Sequence, residues 1–263
     1  MPTDQENGKA FFSAMTLNLR FGLAEDGPND WVHRKAGYPH LFRAHSPDFI
    51  GMQEVNPFQL LFLDGLLADY DFIGRREDAP PGWQDNPIFY RKGWRCVFRH
   101  RFFLSHTPDV PSRLSGSKWP RQCVMGIFER GGKTLAVVNT HMDFAADVQE
   151  ESAHIILRML REKGIRPPTI LLGDFNAQPH SPGYRVFTAP DSCDPPFRDV
   201  FEDDYSFTFH DFTGEDSGGH IDWMLYRGGI EAVEKKIIRE RFEGLYPSDH
   251  FPVMASFRWN GGG

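Results

Sequence analysis

The chain has 263 residues, of which 40% are hydrophobic and 25% charged, and its formal net charge is −7 at pH 7. This composition is typical of a globular protein and argues against one that grips long nucleic acid by charge alone. An apolar run near the roughly 20 residues of a membrane helix is absent, as is an apolar signal segment at the start, which predicts a cytoplasmic protein without a membrane partner.

The first half of the chain alternates between predicted strands and helices. Predicted strands cover residues 10–21, 48–54, 86–92 and 95–105. A helix is predicted to begin near Trp31, after a cap at Asn29 or Asp30, and Pro39 should kink or split it. A second helix is predicted over residues 57–68. The segment 106–122 is rich in Pro and Ser and predicts a long loop, a type of segment that often carries function.

The second half of the chain favours strands around one long helix. Gly131 and Gly132 predict a hairpin between strands 123–130 and 133–142. Apolar residues at helical spacing predict a helix over 147–163, and further strands are predicted at 169–176, 221–227, 231–240 and 251–259. Many strands are apolar on both faces, which favours two packed sheets with helices outside. We expect one domain over residues 10–259, a disordered segment 1–9 and a frayed tail 260–263.

Three cysteines occur in the chain, at Cys96, Cys123 and Cys193. Their number is odd and they show no C-x-x-C spacing, which argues against a disulfide framework and a structural zinc site. A reducing cytoplasm fits this pattern.

Polar residues of catalytic type follow predicted strands at six places. They are Asn18, Glu54, the run Asn139 to His141, the run Asp174 to Asn176, the run His220 to Asp222, and the run Ser248 to His250. One such residue alone is most often structural, and an Asp-x-Asn is most often a turn. The repeated pattern predicts a cleft at the ends of the strands, where a sheet holds side chains rigidly.

These residue types suit water attack on a phosphoester. Glu54 offers the hard oxygen that Mg²⁺ prefers, and Asp174 is placed to orient or deprotonate water. His141 and His250 are candidate donors to phosphoryl oxygens, with Asp222 fixing the tautomer of one imidazole. The sequence therefore predicts a metal-dependent phosphoester hydrolase.

Nearly the whole chain, from about residue 11 to 259, resembles the endonuclease/exonuclease/phosphatase superfamily in its motifs and their order. The motifs, with their site residues, are MTLNLR (Asn18), GMQEV (Glu54), NTHMD (His141), GDFNAQP (Asp174 and Asn176), HIDWM (Asp222) and SDHFPV (Asp249 and His250). The resemblance implies a deoxyribonuclease-like four-layer α/β sandwich, in which two packed mixed β-sheets are flanked by helices.

The same resemblance implies a role for each motif residue. The implied catalytic residues are His141, Asp174, Asn176, Asp222 and His250. Glu54 is the implied Mg²⁺ ligand, Asn18 and Asp249 make supporting contacts to the metal, and Mn²⁺ is an expected substitute.

The segments NPIFYRK and FFLSHTPDVPS and the loop with Trp119 and Arg121 resemble a bacterial branch of the superfamily that is distantly similar to deadenylases. The chain departs from that branch at Phe21 and Gly22, where Tyr-Asp is usual, at His220, where Arg is frequent, and at His106, where Glu is usual. Four residues are candidate substrate contacts, namely Asn86, Tyr90, Trp119 and Arg121. Asn86 and Tyr90 fit a strand start and a core ring equally well. Trp119 and Arg121 either stack on a base and hold a phosphate or pin the loop.

The expected substrate is nucleic acid, including single strands, or a nucleotide, cleaved as a phosphodiester without an obligate protein partner. The alternative is a phosphatase or phosphodiesterase on a small or lipid-derived phosphoester such as an inositol phosphate. A non-catalytic binding module on the same fold is a third hypothesis, and the intact motif residues argue against it.

Overall fold

Two six-stranded mixed β-sheets form the centre of the computed structural model, which describes residues 11–190 and 195–260. The strands are β1 (Phe11–Asn18), β2 (Phe49–Gln53), β3 (Tyr70–Ile73), β4 (Ile88–Arg91), β5 (Arg95–Phe103), β6 (Gln122–Arg130), β7 (Lys133–His141), β8 (Thr169–Asp174), β9 (Arg198–Asp199), β10 (Asp222–Arg227), β11 (Ile230–Ile237) and β12 (Val253–Trp259). The first sheet has the order β11-β12-β1-β2-β4-β3 and the second β5-β6-β7-β8-β10-β9.

Five α-helices occur in the described ranges, together with 3₁₀ turns at Gly27–Asn29 and Lys35–Gly37. The helices are α1 (Trp31–Arg34), α2 (Tyr38–Ala44), α3 (Pro57–Leu66), α4 (Ala146–Glu162) and α5 (Pro182–Thr188). The helix predicted near Trp31 is split, as Pro39 led us to expect. Pro39 lies in the first turn of α2, where its missing N–H has no intrahelical partner to lose.

Apolar side chains pack in three layers. The middle layer lies between the sheets and includes Phe49, Phe128 and Leu172. One outer layer packs the first sheet against α1–α3, and the other packs the second sheet against α4 and α5. The result is four layers of secondary structure, so the predicted sandwich of two mixed sheets flanked by helices is confirmed.

Each sheet contains one parallel pair, β1 with β2 and β7 with β8, and the other pairs are antiparallel. Asn18 lies opposite Gln53 in the first pair, and His141 lies opposite Asp174 in the second. The antiparallel strand β10 starts at the same end, because Asp222 lies opposite Asp174. The ends of these strands therefore place the predicted catalytic residues at one edge of both sheets.

Three elements were not predicted, namely β3, β9 and α5. Pro182 occupies the first turn of α5, and the Ser181 hydroxyl caps that helix. The domain boundaries stay a prediction. The segment 1–9 and most of the tail lie outside the described residues; within the tail, the Asn260 N–H donates to Gly229 O at 2.9 Å.

Cys96 and Cys123 are free thiols, and Cys193 lies outside the described residues. Within residues 11–190 and 195–260, no helix has both the length and the apolar character needed to cross a bilayer.

Candidate active site

Asp174 lies at the centre of the predicted site and is 1% exposed. Its Oδ2 accepts a hydrogen bond from Asn18 Nδ2 at 2.8 Å, and its Oδ1 accepts one from the Asn176 N–H at 2.9 Å. His141 Nε2 and His250 Nε2 lie 3.4 and 3.8 Å from Oδ2. Burial raises the pKa of Asp174 to about 7, although the charge of His250 opposes the shift. The carboxyl group is thus held in a fixed orientation with a pKa near neutrality.

His250 and Asp222 form a buried pair beside Asp174. His250 Nδ1 and Asp222 Oδ2 are 2.9 Å apart. Burial alone would lower the pKa of His250, but Asp222 and Asp174 raise it to about 10. The pair therefore presents a charged imidazolium whose Nε2 faces Asp174.

His141 has the opposite electrostatic character. Burial lowers its pKa well below the usual range, and the charges of Arg121 and His250 lower it further. The imidazole is neutral, and its Nε2 lies 4.0 Å from Glu54 Oε1 as well as close to Asp174. One neutral and one charged histidine thus flank the central carboxyl group.

Glu54 is positioned by the backbone immediately after β2. Its φ is 62°, in the left-handed region that residues other than glycine rarely adopt. Its Oε2 accepts a hydrogen bond from the Phe21 N–H at 2.6 Å, and the side chain lines a cavity. One carboxylate oxygen is therefore held by the protein while Oε1 accepts no hydrogen bond from the described residues, a donor arrangement that suits a divalent cation.

Asn18 and Asp249, the other predicted metal contacts, are engaged mainly by the protein. Asn18 donates to Asp174 through Nδ2 and accepts from the Arg20 N–H through Oδ1 at 2.9 Å. Asp249 accepts from Ser248 Oγ at 3.0 Å and lies 3.4 Å from Arg20 Nη1. Their contact with a metal stays a prediction.

A second convergence of possible metal donors occurs deeper in the site. One donor atom from each of Asp174, Asp222 and His250 lies within 4.8 Å of the others. Asp222 and His250 already bind each other, so two of these three donors are engaged in a hydrogen bond within the protein.

Three of the seven non-glycine residues with positive φ in the described ranges lie at the site. Arg20 and Asn176, like Glu54, have positive φ values, of 60° and 50°. Such conformations are costly and concentrate at functional sites. Asn176 follows β8 by two residues, and its turn carries the N–H that binds Asp174. The Asn176 side chain is used by the fold, since Nδ2 donates to Met142 O at 3.0 Å.

A cavity of about 380 Å³ opens beside Glu54 and His141. Three of the four predicted substrate contacts line it, namely Asn86, Trp119 and Arg121. Trp119 is 54% exposed. Trp83, Gln122 and Phe144 also line it and were not predicted. Phe144 could have been predicted, because it is an aromatic residue directly after the NTHMD motif. Trp83 and Gln122 adjoin no motif, so the sequence carried no signal for them.

Tyr90, the fourth predicted substrate contact, is not brought to this cavity. Its ring packs against Phe128 at 4.8 Å in the layer between the sheets. The alternative prediction, a core tyrosine, describes its position, because Tyr90 lies on β4 between β2 and β3, opposite Phe49.

Two polar residues of the strand-end pattern serve the fold. Asn139 is fully buried and donates to Met52 O, Asn86 O and Pro87 O at 2.8–3.1 Å. His220 is also buried, and its Nδ1 lies 2.7 Å from Ser206 O. Neither lines the catalytic cavity of the described chain.

Asp143 anchors the loop that carries Trp119 and Arg121. Its Oδ2 accepts from Ser117 Oγ at 2.8 Å and from the Lys118 N–H at 2.9 Å, and lies 3.8 Å from Arg121 Nε. Arg121 Nε is buried without a hydrogen bond among the described residues. The Arg121 guanidinium is thus held at the cavity, and its Nε–H remains free to donate a hydrogen bond.

The fold and this set of carboxyl, imidazole and amide groups define a phosphoester hydrolase. Residues 15–250 match the sequence model of the endonuclease/exonuclease/phosphatase family, and the chain belongs to that family. No curated protein sequence matches the chain significantly.

Solved structures show the same architecture. An endonuclease/exonuclease/phosphatase family protein from Bacteroides thetaiotaomicron is 28% identical, with a TM-score of 0.86, over 95% of this chain and 98% of that one. A mannosyl-6-phosphatase from Bacteroides thetaiotaomicron is also 28% identical, with a TM-score of 0.85, over 94% of this chain and 100% of that one. TDP2 from D. rerio, complexed with single strand DNA product, is 16% identical with a TM-score of 0.75 over 94% and 99%, a likeness in fold.

Proposed function

We propose that the protein is a divalent-metal-dependent hydrolase of small phosphoesters. The observation that carries this proposal is the cavity of about 380 Å³, which has Glu54 and His141 at its catalytic end and Trp83, Trp119 and Phe144 on its walls. This volume lies in the range of small-molecule sites, and aromatic walls suit the apolar faces of a sugar or base ring. The 28% identity to a mannosyl-6-phosphatase over its full length supports the same substrate class.

In this proposal Asp174 accepts a proton from the attacking water. Asn18 and the Asn176 N–H fix its two oxygens, so that the carboxylate keeps one orientation while the water approaches the phosphorus. A pKa near neutrality suits a general base at physiological pH. Asn176 acts through its backbone in holding Asp174.

His250 and Arg121 supply positive charge to the phosphoryl oxygens. The charged His250 donates from Nε2, because Nδ1 is held by Asp222. Neutral His141 donates a further hydrogen bond to the phosphoryl group from Nε2, which lies between Asp174 and Glu54. Fixed donors aimed at developing negative charge are the main source of rate enhancement in such sites.

Glu54 is the residue that fits a metal ligand, through Oε1, because Oε2 already accepts the Phe21 N–H. A cation bound there supplies charge neutralisation at the phosphoryl oxygens. Oxygen donors favour Mg²⁺, with Mn²⁺ as a substitute. The cytoplasmic location also remains a proposal.

Cleavage of nucleic acid is the second candidate function. Trp119 and Phe144 are 54% and 61% exposed and both line the catalytic cavity. Paired exposed rings of this kind stack on unpaired bases without regard to sequence. The chain's net charge of −7 favours the small-substrate function over this one.

A substrate panel tests the proposal. The purified protein is assayed for phosphate release from sugar phosphates, inositol phosphates and mononucleotides, and for cleavage of single-stranded RNA and DNA, with Mg²⁺ or with EDTA. We expect turnover of a small phosphoester that EDTA, Asp174→Asn and Glu54→Gln each abolish. Asp71→Asn, at an exposed carboxylate of β3, is the matched control. Turnover of oligonucleotides alone would establish the second candidate, and full turnover by Asp174→Asn would refute the assigned mechanism.

A further inference from the structure

A second cavity lies between the edges of the two sheets. It is bounded by β3, the edge strand of the first sheet, and β5, the edge strand of the second, and its volume is about 560 Å³. Arg75, Arg99 and Arg101 line it together with one carboxylate, Glu77. We call this cavity the arginine groove. None of the described residues that line it also lines the catalytic cavity.

Two of its arginines have no acidic partner. Arg75 Nε lies 3.7 Å from Glu77 Oε2, whereas neither Arg99 nor Arg101 forms an ion pair within the described part of the chain. These two residues are two positions apart on β5, so their side chains emerge on the same face of the sheet. The charge of Arg101 acts on Asp78 and Asp85 from beyond ion-pair distance.

The arginine groove is connected to the catalytic cavity by a series of ring contacts. The guanidinium of Arg101 lies 5.5 Å from the centre of the Phe103 ring, and that of Arg76 lies 5.9 Å from the same ring. Arg76 also covers Trp83 at 4.7 Å, and Trp83 is part of the catalytic wall. Asp78 neutralises Arg76. The arginine groove and the catalytic cavity are therefore joined by packed side chains, of which Phe103 is buried.

We propose that the arginine groove binds phosphate-type anions, and that its ligand is a second phosphate on the molecule whose phosphoester is hydrolysed. The second part rests on the proposed function. Arg99 and Arg101 present planar forks of donors, which match the oxygens of a phosphate or phosphodiester. A substrate with two phosphates would then lie across both cavities, with the phosphoester to be hydrolysed beside Glu54.

Protection of a sheet edge is the competing explanation. Charged side chains on edge strands prevent pairing with another chain, and β5 is an edge strand. On that explanation, loss of Arg99 and Arg101 promotes self-association and leaves anion binding unchanged.

The first test is binding of inorganic pyrophosphate, measured by calorimetry with EDTA present. We expect Arg99→Ser combined with Arg101→Ser to remove one binding event or to weaken it at least tenfold. The control is Arg158→Ser combined with Arg258→Ser, which makes the same charge change at exposed positions of α4 and β12 and should stay within twofold of the parent protein. Undiminished binding by the groove variant would overturn the proposal, and light scattering would then show whether that variant self-associates.

The second test identifies the source of the anion. The substrates are 5′-phosphorylated thymidylates of one to four residues, and release of the terminal phosphate is followed with Mg²⁺. We expect KM to fall about tenfold with length in the parent protein and in the control, and not in the groove variant, with mononucleotide turnover equal in all three. A KM independent of length, with pyrophosphate binding intact, assigns the groove to a free anion. Failure to hydrolyse any length would count against the proposed function and leave the pyrophosphate result standing.

Discussion

Asp174, His250 and Asp222 form a chain of charges at the scale of single residues. The imidazolium of His250 lies between two buried carboxyl groups, 2.9 Å from Asp222 Oδ2 and 3.8 Å from Asp174 Oδ2. Because Asp222 and Asp174 raise the pKa of His250, and the charge of His250 lowers that of Asp174, replacing one residue changes the protonation of the others.

Asp222→Asn should therefore discharge His250. Without the carboxylate, burial outweighs the remaining attraction of Asp174, and the pKa of His250 falls from about 10 toward or below its ordinary value. We expect kcat to fall by about 10²–10⁴, the usual contribution of a positioned acid or base. The ring's NMR titration and steady-state kinetics check this, and a ring that stays charged at pH 7 would contradict it. Asp64→Asn, on the exposed side of α3, is the control.

His210 gives the protein a weakness in acid that is independent of catalysis. It is fully buried, it stacks on Phe251 at 3.9 Å, and burial lowers its pKa from 6.5 to about 4. The unfolded chain binds this proton more tightly, so stability is complete above pH 6.5 and is lost as the pH falls from 6.5 toward 4. The loss attributable to His210 is about 2 kcal/mol at pH 5.

Urea unfolding at pH 7 and pH 5 measures this effect. The difference in unfolding free energy between the two pH values should be about 2 kcal/mol smaller in His210→Asn than in the parent protein. His154→Asn, at an exposed position of α4, should leave the difference unchanged. An equal pH dependence in His210→Asn would show that His210 titrates normally.

At the scale of elements, the parallel pair β7–β8 depends on one glycine at its end. A Cβ on Gly173 would lie 2.0 Å from Thr140 O, and the residue's φ is 150°. The contact is with backbone of the neighbouring strand, so no side chain can move away to relieve it. Gly173 of the GDFN motif is therefore required by the close packing of the two strands, whereas Asp174 is the residue with the proposed chemical role.

Gly173→Ala should destabilise the protein by about 3 kcal/mol or more, because the two strands must separate and the backbone is strained. Gly65→Ala is the matched change: it lies in α3 with no atom within 4 Å of the new Cβ. That substitution should stabilise the protein by about 0.5 kcal/mol. Thermal unfolding of the two variants checks both signs, and equal effects would contradict this reading of Gly173.

The elements that sequence pattern predicts best are the long ones. The helix predicted over 147–163 is α4, Ala146–Glu162, because five apolar residues at helical spacing leave little ambiguity. The two-residue strand β9 carries no periodic pattern, and α5 begins with a proline that also reads as a break. Capping and tertiary contacts, and not a periodic sequence pattern, determine whether such short elements form.

At the scale of the whole molecule, buried polar contacts join the sheets. Asn139, on β7, donates to three carbonyl groups of the first sheet and its edge, and accepts from Gln53 Nε2 at 2.7 Å. The sequence predicted a polar strand end here but not its purpose, since the partners lie 52–87 residues away. By contrast, the motif residues around Asp174 were predicted as a group because they resemble a known family.

Asn139→Ala should cost about 2 kcal/mol or more, because it removes the buried hydrogen bonds to Met52 O and Asn86 O and the bond that Asn139 accepts from Gln53. Thr134→Ala, near the other end of β7, should change stability by less than about 0.5 kcal/mol. Urea denaturation compares the two variants. A loss at Asn139 no larger than at Thr134 would show that water replaces these hydrogen bonds.

The hydrogen bond between Asn18 and Asp174 spans 156 residues of sequence. Each partner belongs to a different sheet, so neither sheet alone contains the complete set of proposed catalytic residues. Contacts this distant in sequence close late in folding, after local structure has formed. Enzymatic turnover is therefore a reporter of the final docking of the two sheets, and a chain with native secondary structure but undocked sheets would be inactive.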